Sequence, residues 1–153
     1  MEVFRLSREK FAVPLSGIGS ALKGARWNSV GTELVYTAIN RSLAMAEVAV
    51  HFTAATVPDD YVILTIHIPD DISIQNLPDT ELPADWNAFP HSASTQSIGD
   101  KFVAENKYCI LRVPSAVTKG DSNLLINPRH LEFGRITIVA KEKFPFDKRM
   151  FKS

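Results

Sequence analysis

From Asn40 to about Thr53 the chain reads as a helix that is apolar nearly all the way round and carries one carboxylate, Glu47. Asn40 suits the N-cap, because its side-chain oxygen accepts a hydrogen bond from an amide of the first turn. Leu43, Glu47, Val50, His51 and Ala54 fall on one face at helical spacing, and Met45, Val48, Ala49 and Phe52 on the other. A helix apolar on both faces is expected to be largely buried. The fold must therefore cover it on most sides. A lone acid among such neighbours must also find a partner, since an unpaired buried carboxylate costs free energy.

The remaining pattern supplies the cover. Strands are expected at Met1–Leu6, Glu33–Ala38, Tyr61–Ile68, Tyr108–Val113 and Arg135–Ala140. Tyr61–Ile68 is the clearest, rich in Val, Ile and Thr and ended by Pro69. A second amphipathic helix is expected over Thr95–Asn106, with Ile98, Phe102 and Val103 on one side. Ser16–Gly24 reads as a flexible turn-rich stretch, and its glycine spacing is wrong for a dinucleotide fingerprint. Asp70–Pro90 reads as a long irregular loop, of a length often tied to function, and Ser115–His130 as another loop. The tail Lys143–Ser153 is basic and aromatic, so it docks or frays. Strands and helices intersperse without βαβ alternation. The expectation is one α+β domain over residues 1–153, a small mixed β-sheet with flanking helices.

Seventeen basic residues balance seventeen acidic ones, with no long charge run. A sequence-independent grip on nucleic acid needs a basic field, so no direct nucleic-acid contact is expected. The single cysteine, Cys109, lies in the strand-like Tyr108-Cys109-Ile110-Leu111 and reads as a buried inert thiol. No apolar run reaches the roughly 18–20 residues that span a bilayer, and Met1-Glu2-Val3-Phe4-Arg5 is unlike a signal peptide. A cytoplasmic protein is expected, with no membrane contact. His51, His67, His91 and His130 are scattered without cysteine or acid partners, so no metal site is expected.

Several residues stand out chemically. Glu47 is either a structural partner for Arg5 or Arg26, or an electrostatic stabiliser or base. Arg26, after Gly24 and before Trp27, is either a surface charge or a planar fork that captures phosphate. Arg5 has the same two readings from a strand position. Trp27 and Tyr36 either pack in the core or stack on a flat ring. Ser115, just past Pro114, caps a turn or makes a hydrogen bond in a site; it lies in no nucleophile elbow. Asn127-Pro128-Arg129-His130 is a turn signature.

Taken in order, these residues resemble the RES domain, named for an Arg, a Glu and a Ser. The resemblance runs through Val3-Phe4-Arg5, Gly24-Ala25-Arg26-Trp27-Asn28 with Gly31 and Tyr36-Thr37-Ala38, Leu43-Ala44-Met45-Ala46-Glu47, and Leu82-Pro83-Ala84-Asp85-Trp86 with Gly99 and Phe102. It ends on Val113-Pro114-Ser115-Ala116-Val117 and Asn123-Leu124-Leu125-Ile126-Asn127-Pro128 with His130. The resemblance implies an ADP-ribosyltransferase-like fold and a toxin of a bacterial toxin–antitoxin pair that consumes NAD+. It also implies a small helical antitoxin as partner, which blocks the active site, carries the DNA-binding part and joins the toxin in a higher-order complex.

On that basis Arg26, Glu47 and Ser115 are expected to be catalytic. Arg5, Trp27, Tyr36 and Asn127 are expected to bind substrate: Arg5 with Arg26 on the pyrophosphate, the two rings beside nicotinamide or ribose, and Asn127 beside an anion site. NAD+ is the substrate and inorganic phosphate the expected co-substrate. Three readings compete: NAD+ degradation with phosphate or water as acceptor, ADP-ribosylation of a protein side chain, and a binding module that kept the fold without catalysis.

Overall fold

The computed structural model describes residues 1–151. Seven strands join one mixed sheet: β1 (Glu2–Arg8), β2 (Val35–Ala38), β3 (Tyr61–His67), β4 (Ile74–Asn76), β5 (Ile110–Pro114), β6 (Ser122–Ile126) and β7 (Thr137–Lys143), in the order β4-β5-β6-β2-β1-β3-β7. All neighbours are antiparallel except β4 and β5. Three helices accompany them, α1 (Ile18–Lys23), α2 (Arg41–Ala49) and α3 (Ala93–Glu105). The architecture is the expected α+β one.

Side-chain alternation divides the core. Val3, Val35, Leu64, Ile110, Leu124 and Ile126 pack together on one face of the sheet. The opposite face carries two separate clusters. Leu111, Val113 and Leu125 lie with Trp27, Leu34, Phe102 and Val103 on the α3 side. Leu6, Ala38 and Ile63 lie with Leu43 and Ala44 on the α2 side. β2 runs between them, with Tyr36 packed on the first and Ala38 in the second.

The seam between β1 and β2 is thin. β1 and β3 pair along their whole length, from Glu2↔His67 to Arg8↔Tyr61. β1 and β2 register only at Phe4↔Ala38. The Tyr36 carbonyl, freed from the ladder, accepts instead from the Arg5 guanidinium at 3.2 Å.

Several expectations need correction. α2 ends at Ala49 rather than near Thr53, and only Leu43 and Ala44 are buried within it; Val50 is 61% exposed. The helix is not enclosed, because a single sheet face covers it. Its N-cap is as expected, with Asn40 accepting from the Leu43 amide at 2.7 Å. The Ser16–Gly24 stretch holds α1, bracketed by two glycines. Gly17 abuts the Leu34 backbone so closely that a Cβ would meet its nitrogen at 2.8 Å, and Gly24 ends the helix at φ 70°. The two long loops each contain a strand. β6 escapes a periodicity reading because it is central: Leu124, Leu125 and Ile126 are all fully buried, so no alternation is visible. β4 has three residues and a parallel partner.

The tail docks. Phe144 donates its amide to Tyr61, and the Phe146 ring makes edge contacts with Tyr61, Phe144 and Phe151 at 5.5, 5.3 and 6.1 Å. Residues 152 and 153 of the predicted tail lie outside the described residues.

Candidate active site

Glu47 projects from α2 and Ser115 follows the last residues of β5, far apart in sequence. The Ser115 hydroxyl donates to Glu47 Oε1 at 2.9 Å and accepts from the Val117 and Thr118 amides at 3.1 and 3.0 Å. Ser115 thus closes its own turn and also bonds the Glu47 carboxylate. It is 3% exposed, so this contact is sheltered from water. Glu47 makes no ion pair within 4 Å among the described residues. Its Oε2 has no protein partner, yet no buried side-chain polar atom is left unsatisfied. That oxygen is therefore not fully buried.

Arg26 lies opposite. It sits in a tight turn closed by the Ala25–Asn28 bridge, just after Gly24. Its Nη1 donates to the main-chain carbonyls of Trp86 and Ala88, both at 2.8 Å. Partial burial lowers the guanidinium pKa, while the nearby Glu47 carboxylate and Tyr36 raise it. Glu47 is thus near enough to act on the Arg26 guanidinium, although the two make no ion pair within 4 Å among the described residues.

Arg5 donates to the Tyr36 carbonyl across the thin seam and has no carboxylate within ion-pair distance among the described residues. Burial lowers its pKa. Such a desolvated guanidinium without a counter-ion has the chemistry to accept an anion.

The structure gives the other expected residues supporting positions. Trp27 is 3% exposed, with its ring in the α3-side cluster. The Tyr36 hydroxyl donates to Asn28 Oδ1 at 2.6 Å and accepts from the Trp27 amide at 3.1 Å. Burial raises the Tyr36 pKa well above its ordinary value. Asn127 is fully buried at the other end of β6 from Ser122; it donates to Asn106 Oδ1 and accepts from the Arg129 amide. Its polar atoms are committed there, and the fold does not bring it to the Glu47–Ser115 pair.

Sequence reasoning gave Asn28 no role, yet it ties the whole turn together. It is fully buried, its amide donates to the carbonyls of Ser20, Ser29 and Thr32, and its oxygen takes the Tyr36 hydroxyl. Its place beside Arg26-Trp27 was the only available signal. The Trp86 and Ala88 contacts are main-chain and leave no signature. A hollow of about 750 Å³ is lined by Ser115 with Leu82, Trp86, Asn87 and Asp121, while Glu47 and Arg26 lie outside its lining. No group of three or more His, Cys, Asp or Glu residues suited to a metal ion occurs among the described residues. No helix among them is long and apolar enough to cross a membrane.

The structure defines a small α+β protein in which a carboxylate and a buried serine, distant in sequence, are hydrogen-bonded to each other, with the Arg26 guanidinium nearby. The profile of the RES domain matches residues 2–147. A protein named Toxin Res from Photorhabdus laumondii subsp. laumondii is 36% identical over 155 aligned positions, covering 100% of this chain and 99% of that one. The Prs ADP-ribosylating toxin of Sphingobium sp. strain YBL2 is 34% identical over 140, covering 90% and 87%. The solved M. tuberculosis MbcT–MbcA toxin–antitoxin complex contains a chain of similar fold, with TM-score 0.74 at 19% identity, over 97% of this chain and 85% of that one. The chain belongs to the RES domain family.

Proposed function

We propose that this chain is the toxin of a cytoplasmic toxin–antitoxin pair and that it cleaves the nicotinamide–ribose bond of NAD+, with inorganic phosphate as acceptor. The observation that carries the reading is the setting of Glu47: one oxygen takes the Ser115 hydroxyl, no ion pair neutralises the carboxylate among the described residues, and the Arg26 guanidinium lies within its electrostatic reach.

One carboxylate suits this reaction. The ring nitrogen of NAD+ is already cationic. When the bond to ribose C1 breaks, its electron pair passes to that nitrogen and nicotinamide leaves neutral, needing no proton. Ordinary glycoside cleavage must protonate an oxygen leaving group and so uses two carboxyl groups. Glu47 stabilises the positive charge that develops on the ribose and holds a ribose hydroxyl; Ser115 keeps it aimed. Arg26 and Arg5 hold the pyrophosphate and the incoming anion. A phosphate oxygen bonds to C1, giving ADP-ribose 1-phosphate and nicotinamide. Tyr36 and Trp27 support this wall of the cleft, and Asn127 supports the sheet behind it.

The names of two relatives, and a fold neighbour solved with its antitoxin, support the biological half of the reading. The proposed partner is a small helical antitoxin that covers the cleft, carries the DNA-binding part and assembles with the toxin into a higher-order complex. One relative's name, Prs ADP-ribosylating toxin, favours a second reading, in which a protein side chain replaces phosphate as acceptor. The test is nicotinamide release by antitoxin-free protein, with and without phosphate. Faster release with phosphate, and ADP-ribose 1-phosphate as product, is expected. Release indifferent to phosphate moves the acceptor to water or protein, and no NAD+ loss under any condition overturns the enzyme reading.

A further inference from the structure

We infer that Gln96, Gly99 and Asp100, on one face of α3, are positioning residues for Arg26 and act through the main chain on either side of it. The inference rests on Arg26 as the anion-holding residue of the proposed reaction.

A guanidinium on a tight turn has many rotamers, and a ligand-gripping group must be held closely in place. The turn is fixed from α3. Residues 96, 99 and 100 share a helix face. Gln96 Nε2 donates to the Ala25 carbonyl at 3.2 Å. Asp100 Oδ1 accepts from the Ser29 amide at 2.9 Å, and its Oδ2 from the Ser29 hydroxyl at 2.5 Å. Between these ties the Trp27 carbonyl lies directly on Gly99, where an added Cβ would fall 1.6 Å from that oxygen. Only glycine permits this approach. The main chain on both sides of Arg26 is therefore pinned to one rigid element.

The side chain is gripped by the same stretch of chain. Its carbonyl acceptors, Trp86 and Ala88, lie in the segment leading into α3. Residues 86–100 thus hold Arg26 by its main chain and by its guanidinium together.

Apolar packing already joins α3 to the turn, through Trp27 and Leu34 against Phe102 and Val103. The polar ties add direction to that attachment. Asp100 makes no ion pair within 4 Å among the described residues, and both its oxygens are committed to Ser29. Charge-assisted bonds of this kind are stronger than neutral ones.

The experiment is a double-mutant cycle on the full chain. Asp100→Ala is expected to raise KM for NAD+ about tenfold, roughly 1.4 kcal/mol, with kcat little changed. Asp100→Asn, which keeps an acceptor for the Ser29 amide, is expected to restore most of the loss. In an Arg26→Lys background Asp100→Ala is expected to add less than about twofold, because coupled residues are not additive. An equal effect in both backgrounds, or a loss of melting temperature with KM unchanged, overturns the inference. Amide hydrogen exchange separates this claim from the reaction itself. Asp100→Ala is expected to speed exchange at residues 27–29 and not in β3, whether or not the wild type releases nicotinamide. Unchanged exchange at 27–29 overturns the positioning role.

Discussion

At the scale of single residues, each polar group of the site has one definable task. Glu47→Gln keeps the shape and the contact to Ser115 but removes the charge. One positioned electrostatic group is worth about 2.7–4 kcal/mol, so kcat is expected to fall roughly 100- to 1,000-fold. Steady-state kinetics on a variant of unchanged melting temperature measures this. Arg26→Lys keeps charge but loses the planar fork, of which Nη1 is taken by the Trp86 and Ala88 carbonyls and the rest is left for the proposed anion. Uniform gripping of the pyrophosphate predicts a higher KM with kcat little altered. Ser115→Ala removes the support of Glu47 and strands two amides. It is expected to lower kcat and to cost about 1–3 kcal/mol of stability in urea titration. Cys109 is fully buried, and desolvation pushes its thiol up to about 11. Folded protein at neutral pH is therefore expected to resist iodoacetamide, and unfolded protein to react at once; rapid labelling of the native state would contradict the placement.

At the scale of elements, the site depends on a turn, a helix and a seam. Asn28 closes the turn with four hydrogen bonds from full burial. Asn28→Ala is expected to destabilise the protein by several kcal/mol, because the Tyr36 hydroxyl and buried carbonyls lose their partner. Thermal unfolding measures it, and a shift within error would remove Asn28 from that role. This also shows what the sequence could reveal. Strands with one dominant pattern, such as β3, and helix starts with a cap, such as Asn40, were legible because local chemistry decides them. α2 is less buried than its apolar composition implies, because composition does not say how many neighbours are available. β6 was hidden because a strand buried on both faces shows no alternation. Arg26, Glu47 and Ser115 were legible as types in order. The two carbonyls that hold Arg26 were not, since any residue supplies a carbonyl. Asn127 resembles a site residue by its motif, yet its partners tie it to Asn106 at the end of α3 and to Arg129 in the turn beyond β6.

At the scale of the whole molecule, charge is balanced, so the cleft's field comes from where its few charges sit. In the proposed reaction the arginines that hold the pyrophosphate would also take a partner's carboxylate, so the proposed antitoxin competes with NAD+ there. Bound antitoxin is expected to raise the apparent KM for NAD+ or to abolish binding. Expression of the chain alone is expected to arrest growth and drain cellular NAD+, and Glu47→Gln to relieve both. The most direct measurement sets wild-type protein and folded Glu47→Gln side by side, free of antitoxin, and follows nicotinamide released from NAD+. The account predicts steady release by the wild type and a loss of roughly two to three orders of magnitude in the variant. Equal rates from the two proteins, or no release from either, would contradict it.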